Sequence, residues 1–287
     1  MNAPRVVAIG GGHGLASSLR AARTFAGDVC AVVSVADDGG STGRLRDDAP
    51  RPAVGDLRKC LVALADDESL LARAMSHRFD AGELSGHAFG NLLITALAEV
   101  DDDLVAALDA IGRLIGAQGR VLPATTEPVQ LVGRTDAGDE VIGQVAVMAT
   151  VGMRSVSLIP RAPEAPFAAV EAIDRADLIV LGPGSLFTSV LAATAVPAIG
   201  EAIAKRADRM VYVCNLHPEI PETGGFGVAD HVAALHDHGL EPATVLYDPA
   251  TIGNADGVAG AVAGELADER GVTHEAAHLA TALRALL

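Results

Sequence analysis

Tryptophan is absent from this 287-residue sequence and tyrosine occurs only twice, which removes the aromatic platforms on which single-stranded nucleic acid stacks. Positive charge is scarce as well: 21 lysines and arginines stand against 37 aspartates and glutamates, a formal charge of −16. So acidic a surface repels DNA, RNA and anionic lipid, and any anionic ligand must be held by a local site. Cysteine appears three times, as Cys30, Cys60 and Cys214. The odd number, the wide spacing and the valine, leucine and alanine neighbours mark small buried hydrophobes in a reducing compartment rather than disulfides or zinc ligands. Glycines interrupt the first hydrophobic segment before it can form a secretory leader. A cytoplasmic protein without membrane insertion is expected.

Half of the residues are apolar, enough to bury a large core near the upper limit of one cooperative domain. The opening Arg5-Val6-Val7-Ala8-Ile9, then Gly10-Gly11-Gly12-His13-Gly14, then an amphipathic stretch over 15–23, reads as strand, tight loop and helix. A second buried strand over 30–36 completes a βαβ unit, whose crossover should be right-handed and whose sheet should be parallel. Residues 56–100 change to helical spacing. Around 129–147 the pattern shortens to strands flanking Asp136-Ala137-Gly138-Asp139, a hairpin signal that predicts a small excursion over 119–150 within a single α/β domain spanning 1–287. Short, continuously apolar strands at 178–181 and 210–214 suit a sheet covered on both faces. Helices are expected at 228–239 and 274–287.

Glycines between a buried strand and a helix let backbone N–H groups approach a phosphate, and the helix N-terminus adds partial positive charge. One such loop reads equally well as a plain turn, but here there are two. The second, Gly182-Pro183-Gly184-Ser185-Leu186-Phe187-Thr188-Ser189, follows the strand at 178–181, and its hydroxyls at Ser185, Thr188 and Ser189 can cap the next helix or meet phosphate oxygens. In an open parallel sheet, ligands sit at the carboxyl ends of strands where strand order reverses, and both loops are expected there. The first loop has Leu15 where a dinucleotide fingerprint has its third glycine, whereas Asp37 ends the second strand where such folds keep a ribose-binding acid. An oxidoreductase therefore stays open as a fold-level analogy. The run Asp37-Asp38-Gly39-Gly40-Ser41-Thr42-Gly43-Arg44 is richer than a ribose clamp needs. Asp37 and Asp38 can hold hydrated Mg²⁺ beside a diphosphate approached by Gly39, and Arg44 can neutralise phosphate; the alternative is a polar turn. Asn91 reads either as an amide that meets a sugar or base or as a helix cap. His87 reads as a ligand-facing donor or a turn residue, with Gly86 and Gly90 leaving room for a ligand.

Together with Gly55-Asp56-Leu57-Arg58-Lys59-Cys60-Leu61, Gly86-His87-Ala88-Phe89-Gly90-Asn91-Leu92, and Asn215-Leu216 followed by Glu222-Thr223-Gly224-Gly225, these motifs occur in an order that resembles the YvcK (gluconeogenesis factor) branch of the YvcK/CofD family over most of residues 5–240. The resemblance implies a three-layer α/β/α, Rossmann-like and mostly parallel fold. It implies UDP-sugar binding, with UDP-N-acetylglucosamine as the example, and a role in gluconeogenic growth, cell-wall synthesis and cell shape. Gly11, Gly12, His13, Gly14, Asp37, Asp38, Asn91, Gly184, Ser185 and Asn215 are the ligand contacts it implies, to which the loop reading adds Gly39, Arg44, His87, Gly182 and Thr188. The CofD branch comprises Mg²⁺-dependent 2-phospho-L-lactate transferases that use a guanosine diphosphate-linked donor, so GDP is the alternative nucleotide. On that reading Asp37, Asp38 and His13 are the candidate catalytic residues, and Asp37 and Asp38 the candidate metal ligands. The expected partners are the nucleotide-sugar, proteins of cell-wall regulation and a second copy of the chain in a dimer. The family's C-terminal Arg or Leu followed by His-Asp-Pro is replaced here by Thr273-His274-Glu275-Ala276.

Overall fold

The computed structural model describes residues 3–48, 50–66 and 68–287. Seven strands form the main sheet: β1 (Arg5–Gly10), β2 (Asp28–Val33), β3 (Arg120–Pro123), β7 (Leu178–Leu181), β8 (Met210–Val213), β9 (Thr244–Tyr247) and β10 (Ala261–Ala263). Their order is β10-β9-β8-β7-β1-β2-β3, and every pairing is parallel. The continuously apolar runs are the ones buried along their whole length in β7 and β8, as a sheet covered on both faces requires. From β1 the chain steps to β2 and β3 in one direction, and from β7 to β8, β9 and β10 in the other. Right-handed crossovers therefore place Gly12–Ala22 and Pro197–Ala204 on opposite faces of the sheet. The first packs with Gly55–Leu64 and Ala276–Arg284, and the second with Phe167–Arg175, so helices flank the sheet in an α/β, Rossmann-like arrangement.

The hairpin signal is real. β4 (Gln130–Thr135) and β5 (Glu140–Ile142) pair antiparallel around a turn in which Gly138 has φ +89°, and β6 (Met153–Ile159) adds the third strand in the order β5-β4-β6. The excursion differs from the expected 119–150 at both ends. Arg120–Pro123 pairs with β2 at the edge of the main sheet, because its apolar residues complete that core, and the small sheet closes only with β6. The short helix Gln144–Met148 and β6 lean on the π-helix Leu186–Leu191, which brings the small sheet to the carboxyl edge of the large one. Part of the aspartate-glycine loop also turns out helical. Gly40–Asp48 is a helix, with Gly43 N–H donating to Gly39 O and Arg46 donating to the carbonyls of Asp37 and Val129. The three cysteines are buried and free, and burial pushes the Cys30 and Cys214 thiols up to about 12. Among the described residues no single helix is long and apolar enough to cross a membrane.

Candidate functional site

The two glycine loops meet where strand order reverses, at the carboxyl ends of the adjacent strands β1 and β7. A cavity of about 280 Å³ opens there, with Gly11, Gly12, His13 and Gly14 on one side and Gly184, Ser185, Thr188 and Ser189 on the other. Gly14 is where the loops touch, since a Cβ at that position would stand 2.4 Å from the Pro183 carbonyl oxygen. Gly12 has φ +70°, in the left-handed region that glycine adopts without strain. The helix Gly12–Ala22 starts on Gly11, which has no side chain to cap it, and the first N–H to bond within the helix is that of Leu15. The N–H groups of Gly12, His13 and Gly14 therefore remain for a ligand, with the helix dipole behind them.

The second loop is built differently. Its position is fixed by Ser18 Oγ donating to Gly182 O at 2.6 Å and by Gly184 N–H donating to Asn215 Oδ1 at 2.9 Å. The N–H groups of Phe187 and Thr188 both donate to Glu222 Oε1 at 2.9 Å, so this helix end already carries an internal carboxylate. Ser185 makes no capping bond, and Ser185 and Thr188 both line the cavity, although the Thr188 hydroxyl oxygen itself is buried. Burial, followed by repulsion from Glu219, raises the Glu222 carboxyl to about 7.

The adjacent acids separate. Asp37 lines the cavity, its Oδ1 accepts from Gly39 N–H at 2.9 Å, and burial raises its pKa. Asp38 points to the small sheet instead, where its two oxygens accept from Gln144 N–H and Val145 N–H at 2.9 Å each. The carboxylates that join Asp37 around the cavity are Asp56, from the helix Gly55–Leu64, and Glu219, from the loop after β8. Asp56 Oδ1 accepts from Lys59 Nζ at 2.9 Å, and Lys59 lines the cavity as well. His13 stands at the rim, where desolvation, aided by the charges of Lys59 and Arg58, lowers its pKa. Among the described residues no group of three or more His, Cys, Asp or Glu side chains is arranged to hold a metal ion.

Arg44, His87 and Asn91 form a network beside the cavity and do not line it. Ser41 Oγ lies 3.2 Å from His87 Nδ1 and accepts from Asn91 Nδ2 at 3.3 Å. Arg44 Nε donates to His87 Nε2 at 3.4 Å, and Arg58 Nε donates to Asn91 Oδ1 at 3.0 Å. The room at Gly86 and Gly90, which suggested ligand approach, is taken by arginines. A Cβ at Gly86 would lie 2.7 Å from Arg44 Nη2, and one at Gly90 would lie 2.7 Å from Arg58 Cδ. Asn91 is likewise no cap, because it lies inside the helix Phe89–Asp101, whose N-cap is Ala88.

Past His13, Gly14, Gly184 and Glu219 the cavity widens into an outer cleft of about 630 Å³. Ser17 and Arg20 wall it on one side and Asn215, His217 and the segment 272–276 on the other. The atypical Thr273-His274-Glu275 thus lies at the site, with His274 Nε2 3.2 Å from Cys214 O, and burial holds that imidazole down at about 4. Asn215 Nδ2 is buried with no hydrogen-bond partner among the described residues. A separate groove of about 630 Å³ between Pro50, Pro52, Thr95 and Pro128 shares no lining residue with either lobe. Sequence reasoning did not single out Asp56, Lys59, Gln144, Glu219 and Glu222 as site residues, whereas Ser189, named with the other hydroxyls of the second loop, does line the cavity. The Gly55-Asp56-Leu57-Arg58-Lys59 motif carried a signal for the first two, whereas Gln144 reaches the cavity only through packing of the small sheet.

The family model described as "2-phospho-L-lactate transferase CofD" matches residues 6–277. A gluconeogenesis factor of Halalkalibacterium halodurans is 41% identical over 240 residues, covering 83% of this chain and 74% of that protein. The Mycobacterium tuberculosis protein that carries the gluconeogenesis-factor name is 46% identical over 245 residues, covering 81% of this chain and 72% of its own length. Its Nostoc counterpart is 42% identical over 234 residues, which are 81% of this chain and 51% of that relative, so the matched region spans about half of the longer protein. A crystal structure of a UPF0052-family protein from Bacillus halodurans superposes with a TM-score of 0.92 at 34% identity, covering 99% of each chain. A match over nearly the whole chain, joined to relatives of this identity, means that the chain belongs to the CofD family, on its gluconeogenesis-factor branch.

Proposed function

We propose that the protein binds a nucleotide diphosphate-sugar, UDP-N-acetylglucosamine foremost, and regulates partner proteins so as to couple gluconeogenic growth to cell-wall synthesis and cell shape. The observation that carries this reading is the juxtaposition at the β1/β7 switch point of the free first-turn N–H groups of Gly12, His13 and Gly14 with a two-lobed cleft. The inner lobe suits a diphosphate, as phosphate sites at helix N-termini do. The outer lobe, with the unpaired Asn215 Nδ2, suits the polar edge of a sugar or base. Three carboxylates, Asp37, Asp56 and Glu219, face that inner lobe against one ammonium. A bare diphosphate meets net repulsion there, so Mg²⁺ is proposed to accompany it, in the usual manner of one or two carboxylates plus ligand phosphates. Asp37 fits as such a carboxylate, whereas Asp38, already bonded to Gln144 and Val145, does not.

The CofD match favours a second reading, a 2-phospho-L-lactate-type transferase that uses a guanosine diphosphate-linked donor. One experiment separates the two. Calorimetric titration with UDP-N-acetylglucosamine, GDP and NAD, with and without Mg²⁺, is followed by product analysis after prolonged incubation with ligand and with a deazaflavin acceptor. A regulator binds the UDP-sugar and returns it unchanged. Nucleotide released over many turnovers in a manner that depends on Asp37 establishes the transferase and ends the regulatory reading.

A further inference from the structure

We infer that Lys59, aimed into the inner lobe by Asp56, is the side chain that takes up the phosphate charge of the ligand. This inference rests on the reading that an anionic diphosphate occupies the lobe. Lys59 projects from the second turn of the helix Gly55–Leu64, which packs against Gly12–Ala22, the helix whose free N–H groups face the same space. Its ammonium is held at 2.9 Å by Asp56 Oδ1, one turn earlier. Asp56 is itself wedged against the first glycine loop, since its Oδ2 would stand 2.5 Å from a Cβ at Gly11. The absence of a side chain at Gly11 thus seats the carboxylate that orients the lysine.

The neighbouring cations are committed elsewhere. Arg58 is buried and donates to Asn91 Oδ1 and Met75 O, and Arg44 donates to His87 and Ser85 O outside the cavity. Arg20 belongs to the outer cleft, and desolvation lowers the pKa of His13 and so disfavours its cationic form. Among the described residues lining the inner lobe, Lys59 is the one fixed positive charge. An ammonium held beside unpaired backbone N–H groups is the same division of labour by which other phosphate-binding loops combine a lysine with main-chain donors.

The test uses the full chain with UDP-N-acetylglucosamine and inorganic pyrophosphate as probes, titrated into wild type, Lys59→Met and Lys59→Arg at two salt concentrations. Loss of a hydrogen bond to a charged group predicts about 10- to 100-fold weaker binding of both probes to Lys59→Met and a flatter salt dependence. Lys59→Arg keeps most of the affinity, and all three proteins share one melting temperature without ligand. If Lys59→Met does not fold, Lys59→Gln carries the same comparison. Tight UDP-N-acetylglucosamine binding that survives loss of the lysine overturns this inference and leaves the proposed function standing. Lysine-dependent pyrophosphate binding without any nucleotide binding keeps the inference and removes the nucleotide-sugar reading. Binding of neither probe to wild type overturns both.

Discussion

Replacing Glu222 by glutamine should make the protein more stable at alkaline pH and leave it almost unchanged at acid pH. Glu222 is 1% exposed; its Oε1 accepts from two N–H groups, but its Oε2 is buried without a partner among the described residues. Desolvation and the nearby Glu219 outweigh the two hydrogen bonds and raise the carboxyl from 4.5 to about 7. Below pH 4.5 the group is protonated in both folded and unfolded chains and its contribution to stability is fully present. Between 4.5 and about 7 the unfolded chain has lost the proton that the folded chain still holds, so stability falls as pH rises. At roughly 1.36 kcal/mol per pH unit the loss reaches about 3 kcal/mol once pH passes 7. Glutamine keeps the acceptor for Phe187 and Thr188 and abolishes the titration. Urea unfolding of wild type and Glu222→Gln at several values from pH 4.5 to 8.5 should give curves that coincide at the acid end and diverge by about 3 kcal/mol at the other. Parallel pH dependence in the two proteins would refute the argument that an ionised carboxylate is held in this helix end against its desolvation.

Three further outcomes follow from the geometry of the site. Gly14→Ala places a methyl 2.4 Å from Pro183 O and 2.6 Å from its carbonyl carbon, both backbone atoms, so the loops must part. Thermal denaturation should show a loss of about 1–3 kcal/mol, and calorimetry should show weakened ligand binding. Asn91→Ala removes the side-chain acceptor of the buried Arg58 guanidinium and should cost about 1–3 kcal/mol of stability, with a much smaller change in ligand affinity, because Asn91 does not line the cavity. A large affinity loss in a stable Asn91→Ala protein would make Asn91 a direct ligand contact. Asp38→Ala unties Gln144 and Val145, should cost about 1 kcal/mol as loss of a helix cap does, and should speed amide exchange over 144–148. The Mg²⁺ dependence of ligand binding should survive in Asp38→Ala and fall in Asp37→Asn; the reverse pattern would place the ion on Asp38.

Local chemistry alone determined the central strands and the glycine loops that follow them. Runs such as Leu178-Ile179-Val180-Leu181 can be satisfied only by burial on both faces, and the glycines that follow them punctuate strand and helix within a few residues. The alternating pattern across Asp136 to Asp139 likewise fixed a hairpin without long-range information. Which side chains share the cavity was a different kind of fact. Asp37 and Asp38 are neighbours in sequence, yet one faces the cavity and the other bonds N–H groups more than a hundred residues away, because direction beyond a strand end depends on what packs there. Glu222 fills a helix end 35 residues earlier, and Gly86 and Gly90 make room for arginines that local sequence gave no reason to place there. The family resemblance was legible because its motifs are contiguous. The roles of the residues within them were decided by tertiary packing, which assembles Asp37, Asp56, Lys59 and Glu219 around one space from segments that have no contact along the chain.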